Sequence, residues 1–168
     1  MGWVVLSLRK KELQRTHADL QMRELQIGRE SRQLARQKMY EQSVIQADQN
    51  EETRNFRTDY NQKVKNLRDR ISDLRNDEKT SDSDNSIKIA ELQQELSDAQ
   101  LDFQQDTNET KSFFETELAL LEEEVNDIET QYEQEKVEVE AQMQAVAQEL
   151  QVVSDAISNA IQQSVIKL

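Results

Sequence analysis

The chain has 168 residues, no Pro, no Cys and only two Gly; 33% of it is charged, with 34 Asp and Glu against 21 Lys and Arg for a net charge of −13. With so few helix breakers and so little turn chemistry, an all-α fold with no sheet is expected. Lack of Cys excludes disulfides and thiolate metal sites, the single His17 excludes a His/Cys cluster within one chain, and the acidic balance argues against a nucleic-acid partner.

The chain opens on one apolar run, WVVLSL at 3–8, followed by Arg9, Lys10 and Lys11. The run is far shorter than the roughly 20 residues of a membrane-spanning helix. Its positive charges follow the run where a Sec signal has them first, and Leu6 stands where N-myristoylation needs Ser or Thr. Neither a membrane span, a Sec signal nor a lipid anchor is therefore expected, and nothing in the sequence assigns a compartment. From there Leu6, Leu13, Leu20, Ile27 and Leu34 recur every seven residues, but the alternate positions hold Lys10, His17, Glu24 and Ser31. This is a narrow apolar seam with polar seats. Residues 46–55, QADQNEETRN, offer no apolar seat, after which Tyr60, Val64, Leu67, Ile71 and Leu74 form a full heptad seam. The pattern predicts a first helix over about residues 3–76.

Residues 76–85, NDEKTSDSDN, are the long polar interruption of the chain. Asp, Ser and Asn side chains turn a backbone through local hydrogen bonds, so a loop is expected over 77–86, with Asp84, Asn85 or Ser86 capping a second helix over about 87–168. In that helix Ile89, Leu92, Leu96, Ala99 and Phe103 form one block, Phe114, Leu118, Leu121, Val125, Ile128 and Tyr132 a second, and Val139, Met143, Val146, Leu150, Val153, Ile157 and Ala160 a third. Between the last two the expected seat falls on Glu135 and the frame resumes four residues late, the mark of a stutter.

Two helical halves of similar length around one loop suggest a long antiparallel helical hairpin, an elongated coiled coil in which 1–168 is a single unit and residue i faces residue 162 − i. Such helices would make a rod of about 110 to 120 Å at 1.5 Å per residue. A parallel homo-oligomer with both halves in line is the alternative. Charge favours the fold-back: residues 1–75 hold 16 Lys/Arg against 11 Asp/Glu, while residues 76–168 hold 5 against 23. The pairing sets Arg23, Arg29, Arg32, Arg36 and Lys38 against the acidic stretch 122–140. It sets Arg54, Arg57, Lys63, Lys65, Arg68 and Arg70 against Glu95, Asp98, Asp102, Asp106 and Glu109. It also matches the polar stretch 46–55 with 107–116, predicting one weak level, and places Gly28 at the stutter, where a Gly admits a close helix approach or a kink, the alternative being a chance surface Gly.

The two chain ends meet in this arrangement, and Arg9, Lys10 and Lys11 then face Val153, Val152 and Gln151, a basic collar without an acid. Just beyond lie Trp3, Val4, Val5, Leu6 and Leu8 on one helix and Ile157, Ile161, Val165, Ile166 and Leu168 on the other. Apolar surface rimmed by charge suggests a contact with other subunits, whereas the plainer reading is closure of the hairpin's own core. No catalytic constellation is present: the abundant carboxylates are spread around the helices, and an EF-hand-like start near Asp82 fails because Ile87 replaces the required Gly and Gln93 the terminal Glu.

These features together suggest a non-enzymatic structural subunit of a filament, ring, secretion-apparatus or virion-type assembly, without cofactor, whose partners are itself or other subunits at the terminal end. A soluble adaptor or export chaperone is the alternative, and a peripheral membrane tether through 3–11 a weaker one. The Pro-free, Cys-free helical design, with Gln-, Asn- and Ser-rich helices, resembles subunits of flagellar or type III secretion filaments and helical components of phage virions. The resemblance is architectural and carries over no functional residue.

Overall fold

A computed structural model describes residues 2–77 and 82–166, the last without its side chain. Two helices, α1 (Gly2–Asn76) and α2 (Asp82–Ile166), make up the fold, and no strand occurs among the described residues. The chain is an all-α helical hairpin. Contacts from Arg9 to Glu149, Tyr60 to Phe103 and Asn85 to Leu74 show α2 returning antiparallel along α1. The contacts gather into two compact units, Met1–Lys38 with Glu123–Leu168, and Met39–Glu122.

The unit Met39–Glu122 holds the drier core. Leu67, Ile71 and Leu92 form a buried cluster on which Leu74, Ile89 and Leu96 pack, with Val64 and Ala99 buried nearby. Tyr60 stacks on Phe103 with ring centroids 4.6 Å apart and planes 17° from parallel. The sequence pairing had set Asp102 opposite Tyr60; the ring that Tyr60 meets belongs to the next residue, Phe103. The seats that a heptad reading found missing are filled by polar side chains: Gln49, Thr53 and Thr107 are half-buried and Thr110 is buried beside buried Phe114. Phe113 lies exposed and meets Phe114 edge-on.

The spacing explains how the helices stay face to face there. From Gln42 through Ile45, Gln49, Thr53, Phe56, Tyr60 and Val64 the buried or half-buried seats advance by three, four and four residues. On α2 the seats Ala99, Phe103, Thr107, Thr110, Phe114 and Leu118 follow the same eleven-residue rhythm in reverse. Eleven residues in three turns are close to the natural winding of an α-helix, so neither helix must be overwound to keep its stripe on the partner. Because both helices change rhythm at the same level, the seam does not drift apart.

At the loop-proximal end α2 begins at Asp82, inside the stretch expected to be loop, with Asp82 and Asp84 in its first turn where carboxylates favour the positive helix end. Residues 78–81, including the turn candidate Ser81, lie outside the described residues. Asn85, expected as a cap for α2, instead serves α1: its Nδ2 donates to the carbonyls of Leu74 (3.2 Å) and Asp77 (3.4 Å). These are carbonyls at and just beyond the end of α1, which have no intrahelical donor.

In the unit Met1–Lys38 with Glu123–Leu168 the α1 seats keep a strict heptad from Leu6 to Lys38. Leu13 and Ile27 are only 3% exposed, and the polar seats Lys10, His17, Glu24 and Ser31 are half-buried between the apolar ones. On α2, Val125, Val139 and Val153 are buried and the seats between them half-buried, Glu135 included.

Candidate assembly surface

A seam this narrow buries one stripe of each helix and leaves large apolar side chains elsewhere. Around the chain ends the two sets separate cleanly. Leu6, Lys10 and Ile157 are half-buried and belong to the seam, whereas Trp3 (57%), Val4, Val5 (66%), Leu8 (58%), Ile161 and Val165 are exposed. Val4 and Leu8 are four residues apart, as are Ile161 and Val165, so each pair shares one helix face. Lys11 is exposed; Ile166 closes α2, its side chain lies outside the described residues, and so does Leu168.

The collar is not wholly without an acid. Arg9 donates from Nη2 and Nε to Glu149 Oε1 at 2.7 and 3.0 Å, and from Nη1 to Glu12 at 3.4 Å. The expected register had set Arg9 against Val153; the long side chain instead flanks the seam and reaches one turn along α2. Arg23 makes the analogous contact, donating from Nε and Nη2 to Glu135 Oε1. These hydrogen bonds to Glu149 and Glu135 are the chief cause of guanidinium pKa values raised above the ordinary arginine value. The stutter seat Glu135 is thereby neutralised by the opposite helix.

Beyond these two pairs the expected electrostatic zipper does not form. Among the described residues no other ion pair joins α1 to α2; the remaining ones are Arg9–Glu12, Arg23–Glu30, Lys111–Glu115 and Lys136–Glu140, each within one helix. Lys38 is half-buried at a seam seat, and Arg29, Arg32 and Arg36 are exposed. Arg29 and Arg36 lie two positions from the nearest seam seats, on the back of α1, while Arg32 follows the seat Ser31, donates from Nε to the Gly28 carbonyl at 2.9 Å and also borders a groove shared with α2.

That back face is a second periodic stripe, which a search for the apolar seam alone passes over. It runs through Val4 and Leu8, then Lys11, Arg15 and Ala18, then Met22 and Leu25, then Arg29, Arg32 and Arg36, in alternating steps of four and three residues. All are exposed, and no carboxylate interrupts the stripe. Arg29, Arg32 and Arg36 line a shallow groove with Gln33, and Met22, Leu25 and Arg29 line another with Asp19. The signal was present in the sequence as this offset heptad; counting charge by halves conceals it.

Gly28 does not serve a close helix approach. A Cβ there would meet nothing within 4 Å, and no residue among the described ones has a positive φ. It borders a shallow groove with Leu25, Arg32, Glu129, Tyr132, Glu133 and Lys136, an underfilled level where small and charged side chains meet.

Among the described residues no cluster of three or more His, Asp or Glu is arranged to hold a metal ion, and no helix is long and apolar enough to cross a membrane. No protein-family model, curated protein or solved structure matches the chain.

Proposed function

We infer that the chain is a non-enzymatic structural subunit of a larger homo- or hetero-oligomeric assembly, joined to its neighbours through the end that carries Trp3, Val5, Leu8, Ile161 and Val165. The observation that carries this reading is the division of labour at that end. Leu6 and Ile157 close the seam, while the large apolar neighbours stand in solvent, where their burial by a partner would be favourable. Trp is also the side chain most often found anchoring interfaces.

Light scattering at micromolar concentration tests it: the wild type gives large or regular oligomers. In Trp3→Ser/Val5→Ser the affinity falls by about thirtyfold, the equivalent of roughly 2 kcal/mol for a lost anchor, while helicity is retained because both residues lie outside the seam. A wild type that stays monomeric at every concentration favours the adaptor or export chaperone. A double variant that melts early yet assembles like the wild type assigns these residues to the hairpin's own stability.

A further inference from the structure

The basic residues of α1 and the acids of α2 are largely unspent within the hairpin, and this points outward. We propose that the back face of α1 at Met22, Leu25, Arg29, Arg32 and Arg36 is a lateral docking surface for the outer face of α2 in a second copy of the same chain. The proposal rests on the assembly reading above and names a second contact of that assembly.

The chemistry of the occupant follows from the stripe. Three exposed arginines at i, i+3 and i+7, with no ion pair among the described residues, call for carboxylates spaced along a helix, and the adjoining Met22 and Leu25 (63% and 57% exposed) call for an apolar neighbour. The chain carries such a surface. On α2, Glu123, Asp127 and Val137 are exposed on the side turned away from the seam seats Val125, Ile128, Tyr132, Glu135 and Val139. The spacings agree. Met22, Arg32 and Arg36 are ten and four residues apart, and Val137, Asp127 and Glu123 are ten and four apart in the opposite direction. Laid antiparallel, the two faces set Met22 against Val137, Arg32 against Asp127 and Arg36 against Glu123, with Leu25 and Arg29 opposite the polar Gln134 and Thr130.

Such a contact joins two different surfaces. Each copy engaging a neighbour through α1 still offers its own α2, so the contact is heterologous and propagates until it closes a ring or extends as a filament. Its strength depends on exposed charge and therefore on salt.

The test uses the full chain carrying Trp3→Ser/Val5→Ser, which isolates the lateral contact, and reads its size by sedimentation velocity. Adding Arg29→Glu, Arg32→Glu and Arg36→Glu, or separately Glu123→Arg and Asp127→Arg, weakens self-association by about tenfold or more, since each variant then opposes like charges. Circular dichroism checks that each variant stays helical, as expected for exposed side chains outside the seam. Mixing the two variants restores association, because the acidic faces of one meet the basic faces of the other, and raising NaCl weakens the restored complex. If the unaltered chain assembles but neither set of changes affects association, or mixing restores nothing, the lateral contact is overturned while the assembly reading stands. If the unaltered chain is monomeric, the assembly reading falls and takes the lateral contact with it. A monomeric chain that binds duplex DNA through the three arginines would overturn the proposal in favour of a polyanion partner.

Discussion

Gly28 and Asn85 show how little a residue's type says about its task until its surroundings are known. A glycine inside a helix invites an explanation by close approach, yet the space beside Gly28 is open and its backbone is ordinary helix. What remains is its entropic cost, since glycine loses more backbone freedom than alanine on entering a helix. Gly28→Ala therefore stabilises the fold by about 0.5–1 kcal/mol, seen as a higher urea midpoint with an unchanged slope. A lower midpoint would show that the missing side chain is needed after all. Asn85 is the converse case, a residue whose type fitted a cap on its own helix but whose amide group closes the carbonyl end of the other one. Its Oδ1 is buried and has no partner among the described residues.

Within each helix, stability is distributed unevenly along the seam. In the unit Met39–Glu122 the cluster around Leu67, Ile71 and Leu92 buries apolar carbon at every step, whereas the level of Gln49, Thr53, Thr107 and Thr110 fills its seats with side chains that gain little from leaving water. Local opening is cheapest where the fewest apolar contacts are lost. Backbone amides at 46–55 and 107–110 consequently exchange faster than those at 64–74 and 89–96 in a native-state hydrogen-exchange experiment. Equal protection of the two levels would mean that the eleven-residue rhythm alone, which lets both helices keep their preferred winding, compensates for the polar seats. Phe114 is buried at the edge of this level, so the amides after it mark where protection returns.

For the molecule as a whole, the notable quantity is apolar surface left in water. Trp3, Val5, Leu8, Met22, Leu25, Val137, Ile161 and Val165 are all more than half exposed, in a hairpin whose helices share only one stripe of contacts. A chain that completes its core by association is stabilised by its neighbours through mass action. Its melting midpoint therefore rises with protein concentration, and the rise is smaller in Trp3→Ser/Val5→Ser; differential scanning fluorimetry over about a hundredfold range of concentration reads both. A midpoint that does not move with concentration would return these side chains to an isolated hairpin.

The sequence by itself determined that there are two helices and which stripe of each is buried, and its charge favoured a fold-back through the polar stretch after Asn76 over a parallel oligomer. The seats from Leu13 to Ile71 on α1 and from Leu92 to Val153 on α2 that repeat in heptads are those the structure buries or half-buries. This was legible because helix formation and the side-chain period are local properties, set by the winding of 3.6 residues per turn. Tertiary structure alone decided which side chains meet across the seam, as in Tyr60 on Phe103 and in the pairing of Arg9 and Arg23 with Glu149 and Glu135. It also decided that Arg29, Arg32 and Arg36 are exposed and, among the described residues, form no ion pair with α2. The physical reason is that opposite net charges attract two helices at any rotation and at many offsets, while stacked rings and directed hydrogen bonds exist at only one.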